Sequence, residues 1–154
     1  MISLKKAEIS DTKEIHQMQV AAFTPLLEKY QDFDTSPAAE PLEKILWRME
    51  MPNSEYYFIL ADEVKVGVVR IRWNEKHHSI SPIFILPEYQ GYGYAQQAIQ
   101  LAEALYPEAK CWVLDTIWQE SKLLHLYQKM GYHFTGSEHV VNDRMTLVDL
   151  VKII

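Results

Sequence analysis

Gly91 and Gly93 stand between an apolar run, Ile83-Phe84-Ile85-Leu86, and a helical pattern with Ala95, Ala98, Ile99, Ala102 and Leu105 on one face. A strand feeding a helix through a glycine turn aims several backbone N–H groups at one point. The first amides of a helix have no internal partner, and the helix dipole adds partial positive charge there. Glycine permits positive φ and close approach of a ligand to the backbone. The chemistry such a turn offers is anion binding, and a phosphorylated ligand is expected here.

Spacing narrows the ligand. A Walker loop needs a Lys-Ser/Thr pair after its second glycine, and none is present. A dinucleotide fingerprint needs a third Gly or Ala at its own offset and an early βαβ unit, whereas this turn lies in mid-chain. What remains is Gln90-x-x-Gly93-x-Ala95, preceded by Ile85-x-Pro87. This resembles the acetyl-coenzyme A loop of the GCN5-related N-acetyltransferases, written Arg/Gln-x-x-Gly-x-Gly/Ala. The resemblance implies a pyrophosphate cradle of Gln90, Gly91, Tyr92, Gly93, Tyr94, Ala95 and Gln96. It also implies cofactor contacts along Phe84, Ile85 and Leu86.

Downstream, Leu124-His125-Leu126-Tyr127-Gln128-Lys129-Met130-Gly131-Tyr132 resembles the family's second signature, a helix carrying Tyr, then Lys, then Gly and an aromatic. By that resemblance the Tyr127 hydroxyl lies near the thioester sulfur. An amine attacks the acetyl carbonyl, an oxyanion forms and a thiolate leaves. A phenol (reference pKa about 10) is close enough to a thiol (about 8.5) to protonate the developing thiolate. The oxyanion needs a preorganised donor, which the family resemblance puts at the backbone of Ile85. One departure stands out. Members often have Asn seven residues before the tyrosine, against the pantetheine arm; here that position is Glu120, which when ionised accepts a hydrogen bond but donates none.

These groups need elements to hold them. Ile2 to Ala7 reads as a strand. Asp11, with Glu14 as a capping box, opens a helix through Ile15, Met18 and Ala22, which Pro25 and the Tyr30 to Pro37 stretch interrupt. Pro41 starts a second helix, with Leu42, Ile45, Leu46 and Met49 as its stripe. Glu55 to Ala61 and Val64 to Trp73 form a hairpin about Asp62-Glu63. Arg70 and Arg72 alternate with Val69, Ile71 and Trp73, which predicts one wetter face. His78 to Leu86 is a strand bulged or splayed near Pro82, since proline cannot donate to a ladder. A helix to Tyr106, a strand at Cys111 to Ile117, a helix at Ser121 to Met130 and strands at Tyr132 to Glu138 and Arg144 to Val151 complete the chain. The order β-α-α-β-β-β-α-β-α-β-β is mixed, giving an α+β class rather than a doubly wound sheet. It matches the layout of the GCN5-related N-acetyltransferase fold over the whole chain, read as a single domain at 1–154.

Composition fits this reading. With 154 residues and 48% hydrophobic content the chain can build one good core. A net charge of −6 argues against a nucleic-acid partner. No run is long enough to span a bilayer, no secretory leader opens the chain, and the single Cys111 excludes an internal disulfide, so a cytoplasmic location is expected. The histidines show no metal-ligand spacing, and no metal is expected. Asp115, near the end of its strand, is a candidate to accept the amine's proton, or a turn residue. Glu28, Asp32, Asp34 and Glu40 crowd the segment between the first two helices. Glu28, Asp32 and Asp34 are candidates to hold a small cationic acceptor; the same cluster also reads as a solvated loop. The expected activity is acetyl transfer from acetyl-coenzyme A to the amine of a small molecule or peptide, by direct attack in a ternary complex. Rival readings are a non-catalytic coenzyme A-binding or sensing domain and an unrelated phosphate-ligand module. The sequence does not separate a monomer from a homodimer.

Overall fold

A computed structural model describes residues 1–154. The elements are β1 (Ile2–Lys6), α1 (Thr12–Tyr30), α2 (Leu42–Glu50), β2 (Ser54–Ala61), β3 (Val64–Trp73), β4 (His78–Ile85), α3 (Tyr94–Leu105), β5 (Cys111–Ile117), α4 (Ser121–Lys129), β6 (His133–Val140) and β7 (Thr146–Ile153). The order agrees with the sequence pattern. The strands form one seven-stranded sheet, β1-β2-β3-β4-β5-β7-β6. Only β4 and β5 are parallel neighbours.

Alternation along the strands builds a core on each face. On one side Tyr57, Ile59, Val69, Ile71, Trp112 and Leu114 meet Ala98, Ile99 and Ala102 of α3 and Tyr127 of α4. On the other, Tyr56, Phe58, Val68 and Phe84 meet Ile15, Met18 and Ala22 of α1 and Ile45 of α2. The central strands are therefore covered twice, as their near-continuous apolar runs require.

Three sequence expectations are corrected. The capping box lies one turn earlier than expected: Asp11 Oδ2 accepts from the Glu8 N–H at 2.8 Å, while Glu14 reaches Lys65 at 2.7 Å instead. Pro25 does not interrupt α1, which runs through it to Tyr30; burial of Ala22 and Tyr30 on either side holds the helix together. Arg70 is not on a wet face. It is 4% exposed and lies over the Tyr56 ring on the α1/α2 side, while Arg72 is exposed.

The feature that shapes the rest is a split in the sheet. The β3–β4 register slips between Val69↔Ile83 and Ile71↔Ile80, so β4 carries one extra residue at Ser81-Pro82. Strands β4 and β5 pair only at His78↔Trp112 and Ser79↔Val113. Beyond Ser79 they diverge and leave a wedge, at the point where Pro82 predicts a bulge.

Candidate active site

The wedge opens into a cavity of about 290 Å³, at the small end of the range for small-molecule sites. Its walls come from the bulge (Ile80 to Ile83), from β5 (Leu114 to Ile117), from α4 (Leu123, Tyr127), from α1 and its following loop (Phe23, Leu26, Asp32) and from Arg48 and Arg70.

The divergence frees backbone groups. The Leu86 N–H bonds to Val66 O on β3 at 2.8 Å. Successive residues of a strand direct their amides to opposite sides, so Ile85 turns its N–H and C=O toward the opening. Its carbonyl is taken by the Gln90 side-chain amide, at 2.9 Å. Phe84 and Ile85 are buried and Leu86 is half-buried. Gly67 of β3 allows this approach: a Cβ there would stand 2.2 Å from Phe84 O.

Beyond the end of β4, Gly91 and Gly93 have φ of 87° and 78°. A Cβ on either would meet nothing within 4 Å, so both face open space. Gly93 is the N-cap of α3, no side chain caps that end, and no acidic residue lies in the first turn. Gln90, Gly91, Tyr92 and Gly93 are exposed, and Tyr94, Ala95 and Gln96 half-buried, around this uncapped end. The Tyr92 and Tyr94 rings stack at 5.6 Å beside it.

Tyr127 projects from α4 into the far wall of the cavity and is 6% exposed. Its ring packs edge-on to Tyr132 at 6.1 Å. Burial, with the Asp115 carboxylate adding to it, pushes the phenol up to about 12. Asp115 also lines the cavity, with its side chain open to solvent; partial loss of solvent around the carboxyl and the facing Asp149 raise it above the ordinary range. The other acidic candidates separate. Asp32 lines the cavity and is 7% exposed. Asp34 faces a neighbouring shallow depression and Glu28 is exposed outside the cavity. Glu40 lines the cavity but is engaged in a fork with Arg48, at 2.8 and 2.6 Å.

Glu120 precedes α4 and spends its carboxylate on α1: Lys29 donates at 2.7 Å and the Tyr30 hydroxyl also donates. Burial acts to raise this carboxyl, and those two donors outweigh it and hold the group below the usual range. The sequence reading missed Arg70 and Arg48 in the cavity wall. A signal existed, since Val66, Val68, Val69 and Ile71 are apolar at both parities, which marks a strand covered on both faces.

A mixed seven-stranded sheet flanked by helices and split between its parallel neighbours is the GNAT acyltransferase fold. The profile of the acetyltransferase (GNAT) family matches residues 13–132, and the chain belongs to that family. The uncharacterized protein YrkN of Bacillus subtilis (strain 168) is 29% identical over 150 residues, covering 94% of this chain and 80% of that protein. Two solved structures have the same fold at low identity. The PaiA N-acetyltransferase of Thermoplasma acidophilum, in complex with coenzyme A, superposes with a TM-score of 0.72 at 13% identity, over 100% of this chain and 99% of that one. The spermidine N-acetyltransferase of Vibrio cholerae, in complex with coenzyme A and spermine, gives 0.76 at 19% identity, over 99% and 95%.

Proposed function

We propose that this GNAT-family acetyltransferase moves acetyl from acetyl-coenzyme A to an amine of a small molecule or peptide, by direct attack with both substrates bound. One observation carries the reading: β4 parts from β5 beyond Ser79, a buried phenol lines the wedge this leaves, and the same strand runs on through two positive-φ glycines into an uncapped helix N-terminus. The residues fit coenzyme A. The exposed amides from Gln90 to Gln96 suit a pyrophosphate, and the Phe84-Ile85-Leu86 edge offers strand groups to the pantetheine arm. The Glu120 carboxylate, held by Lys29 and Tyr30, contributes to that arm only through the start of α4 that it anchors.

Bound acetyl-coenzyme A supplies an activated acyl group whose carbonyl carbon accepts the amine and whose sulfur leaves. The Ile85 N–H donates to the oxygen that gains charge. Asp115, raised toward neutrality, takes the proton that the ammonium must lose before it attacks. Tyr127 gives its proton to the departing sulfur. Its raised pKa keeps it protonated across the working range, and the burial that raises it raises a thiolate in the same place. Asp32 is the acidic group placed to meet a cationic acceptor; Glu28 and Asp34 act on it only through the long-range field. That the Vibrio cholerae structure holds spermine is consistent with an amine acceptor for this fold.

The test is Tyr127→Phe, assayed by release of free thiol from acetyl-coenzyme A. Coenzyme A affinity is expected to stay unchanged while kcat falls about 10²-fold or more. If chemistry is rate-limiting and kcat stays within about twofold, the proton comes from water. If the parent enzyme binds coenzyme A but acetylates no amine, the reading as an enzyme is wrong.

A further inference from the structure

A charged side chain taken out of water normally meets an opposite charge. Arg48 obeys this rule through its fork with Glu40. Arg70 does not. It is buried, and its partners are all neutral: Ser54 Oγ at 2.9 Å, Ser81 O at 3.1 Å and Met51 Sδ at 3.6 Å. The Tyr56 ring lies against it, and the charges that act on it from further off are the guanidiniums of Arg48 and Arg72 and the Glu40 carboxylate, which is already forked to Arg48 and makes no ion pair with Arg70. A guanidinium has five donors in a planar fork, and neutral partners leave part of that fork unused. Arg70 also lines the cavity, and the Ser81 it holds belongs to the bulge that opens the wedge.

The same cavity holds the converse defect. Asp32 Oδ1 is buried and has no hydrogen-bond partner. Arg70 leaves that oxygen unpaired although both side chains line the same cavity. An unmatched cation and an unmatched anion in one small cavity call for a ligand carrying both signs. A pure polycation would leave Arg70 facing like charge, and a pure anion would oppose Asp32.

We propose that the acceptor is an amino acid or a similar carboxylate-bearing amine, and that Arg70 binds its carboxylate. This rests on the acetyltransferase reading and specifies its substrate. Arg70 supplies a planar pair of donors to the carboxylate, beside the bulge and therefore beside the reacting groups. Asp32 faces the cationic side. Selection follows from the unpaired guanidinium: an acceptor without a carboxylate leaves it buried and unmatched, and loses affinity for that reason.

The test uses the full-length protein with acetyl-coenzyme A and a panel of α-, β- and γ-amino acids, each beside its carboxamide and its decarboxylated amine. The best acid is expected to exceed its own amide in kcat/KM by about 10²-fold. Arg70→Met is expected to remove that preference, lowering kcat/KM for the acid by about 10-fold or more beyond whatever it costs the amide. Amides or decarboxylated amines that outperform every acid in the parent enzyme overturn the proposal and leave acetyl transfer standing. Equal loss on acid and amide in Arg70→Met also overturns it, since Arg70 then only props the bulge. Should that variant fail to fold, the acid-to-amide ratio of the parent decides alone. Coenzyme A binding without acetylation of any amine overturns the enzyme reading itself.

Discussion

Asp115 and Asp149 face each other across β5 and β7, two carboxylates at paired positions. The arrangement costs a little stability, because partial loss of solvent around the carboxyl and the facing like charge both disfavour ionisation of Asp115, while the exposure of both side chains to solvent keeps the cost small. A group whose folded pKa lies above its unfolded value stabilises the fold only while protonated. Above the folded value the full cost is present; below the unfolded value it is gone. Asp115→Asn is therefore expected to raise Tm at neutral pH, with a gain that shrinks as pH falls through the raised pKa. The same change should lower kcat on the order of 10²-fold. In the parent, the acid limb of kcat/KM should fall at a pH above the ordinary Asp value of 3.8. A variant that is neither more stable at neutral pH nor slower would assign Asp115 to the fold alone. At this scale the sequence was legible where type and spacing are enough. Tyr127 and the glycine turn can be read from a line of text. Arg70 and Asp32 cannot, because what distinguishes them is the absence of a partner, which exists only after distant segments pack.

At the scale of the element, the turn before α3 is the one on which the proposed coenzyme A site rests. Gly93 has positive φ, and the space beyond it is open. A β-branched residue there would be strained by about 1–2 kcal/mol and would put methyl groups into the space proposed for the pyrophosphate. Gly93→Val should weaken coenzyme A binding at least about 10-fold, equivalent to ~1.4 kcal/mol, with unchanged far-ultraviolet dichroism. Titration calorimetry that finds parent-like affinity would move the pyrophosphate elsewhere. Elements were legible in proportion to how local their causes are. β3 and β5 fall where their apolar runs put them. α1 overruns its proline because packing outweighs the hydrogen bond lost at Pro25. The strand boundaries of β6 and β7 lie about two residues later than their pattern suggests; the β6 register slips between Phe134 and Glu138, where Gly136 has positive φ.

Across the whole molecule, the wedge divides the sheet into β1–β4 and β5–β7-β6, which share one short seam. The end of α1 ties the two parts together. Lys29 and Tyr30 hold Glu120, and the Tyr30 carbonyl accepts from the Asn142 amide at 2.9 Å. Glu120→Ala would leave the buried Tyr30 hydroxyl without its partner, at about 1–3 kcal/mol. Tm should then fall by about 2–4 °C for each kcal/mol lost. Because Glu120 is held below its usual pKa, its contribution is full above 4.5 and is lost as pH falls through the depressed value. The Tm gap between parent and variant should accordingly close in acid. A gap that persists unchanged at low pH would assign the loss to packing rather than to the charge.

The seam also has a meaning along the gene. The chain before the Tyr106–Cys111 connection supplies β1–β4 and carries both glycines, Ile85, Asp32 and Arg70, with the end of α1 reaching across to the second part. Asp115 and Tyr127 lie on the second. The codons for the residues proposed to hold and select the substrates therefore form one uninterrupted block, and those for the residues proposed to move protons form the next. A single crossover between them would exchange the proposed acid–base pair and leave the proposed cradle and acceptor-reading residues intact, so the two can diverge by recombination as separately inherited parts.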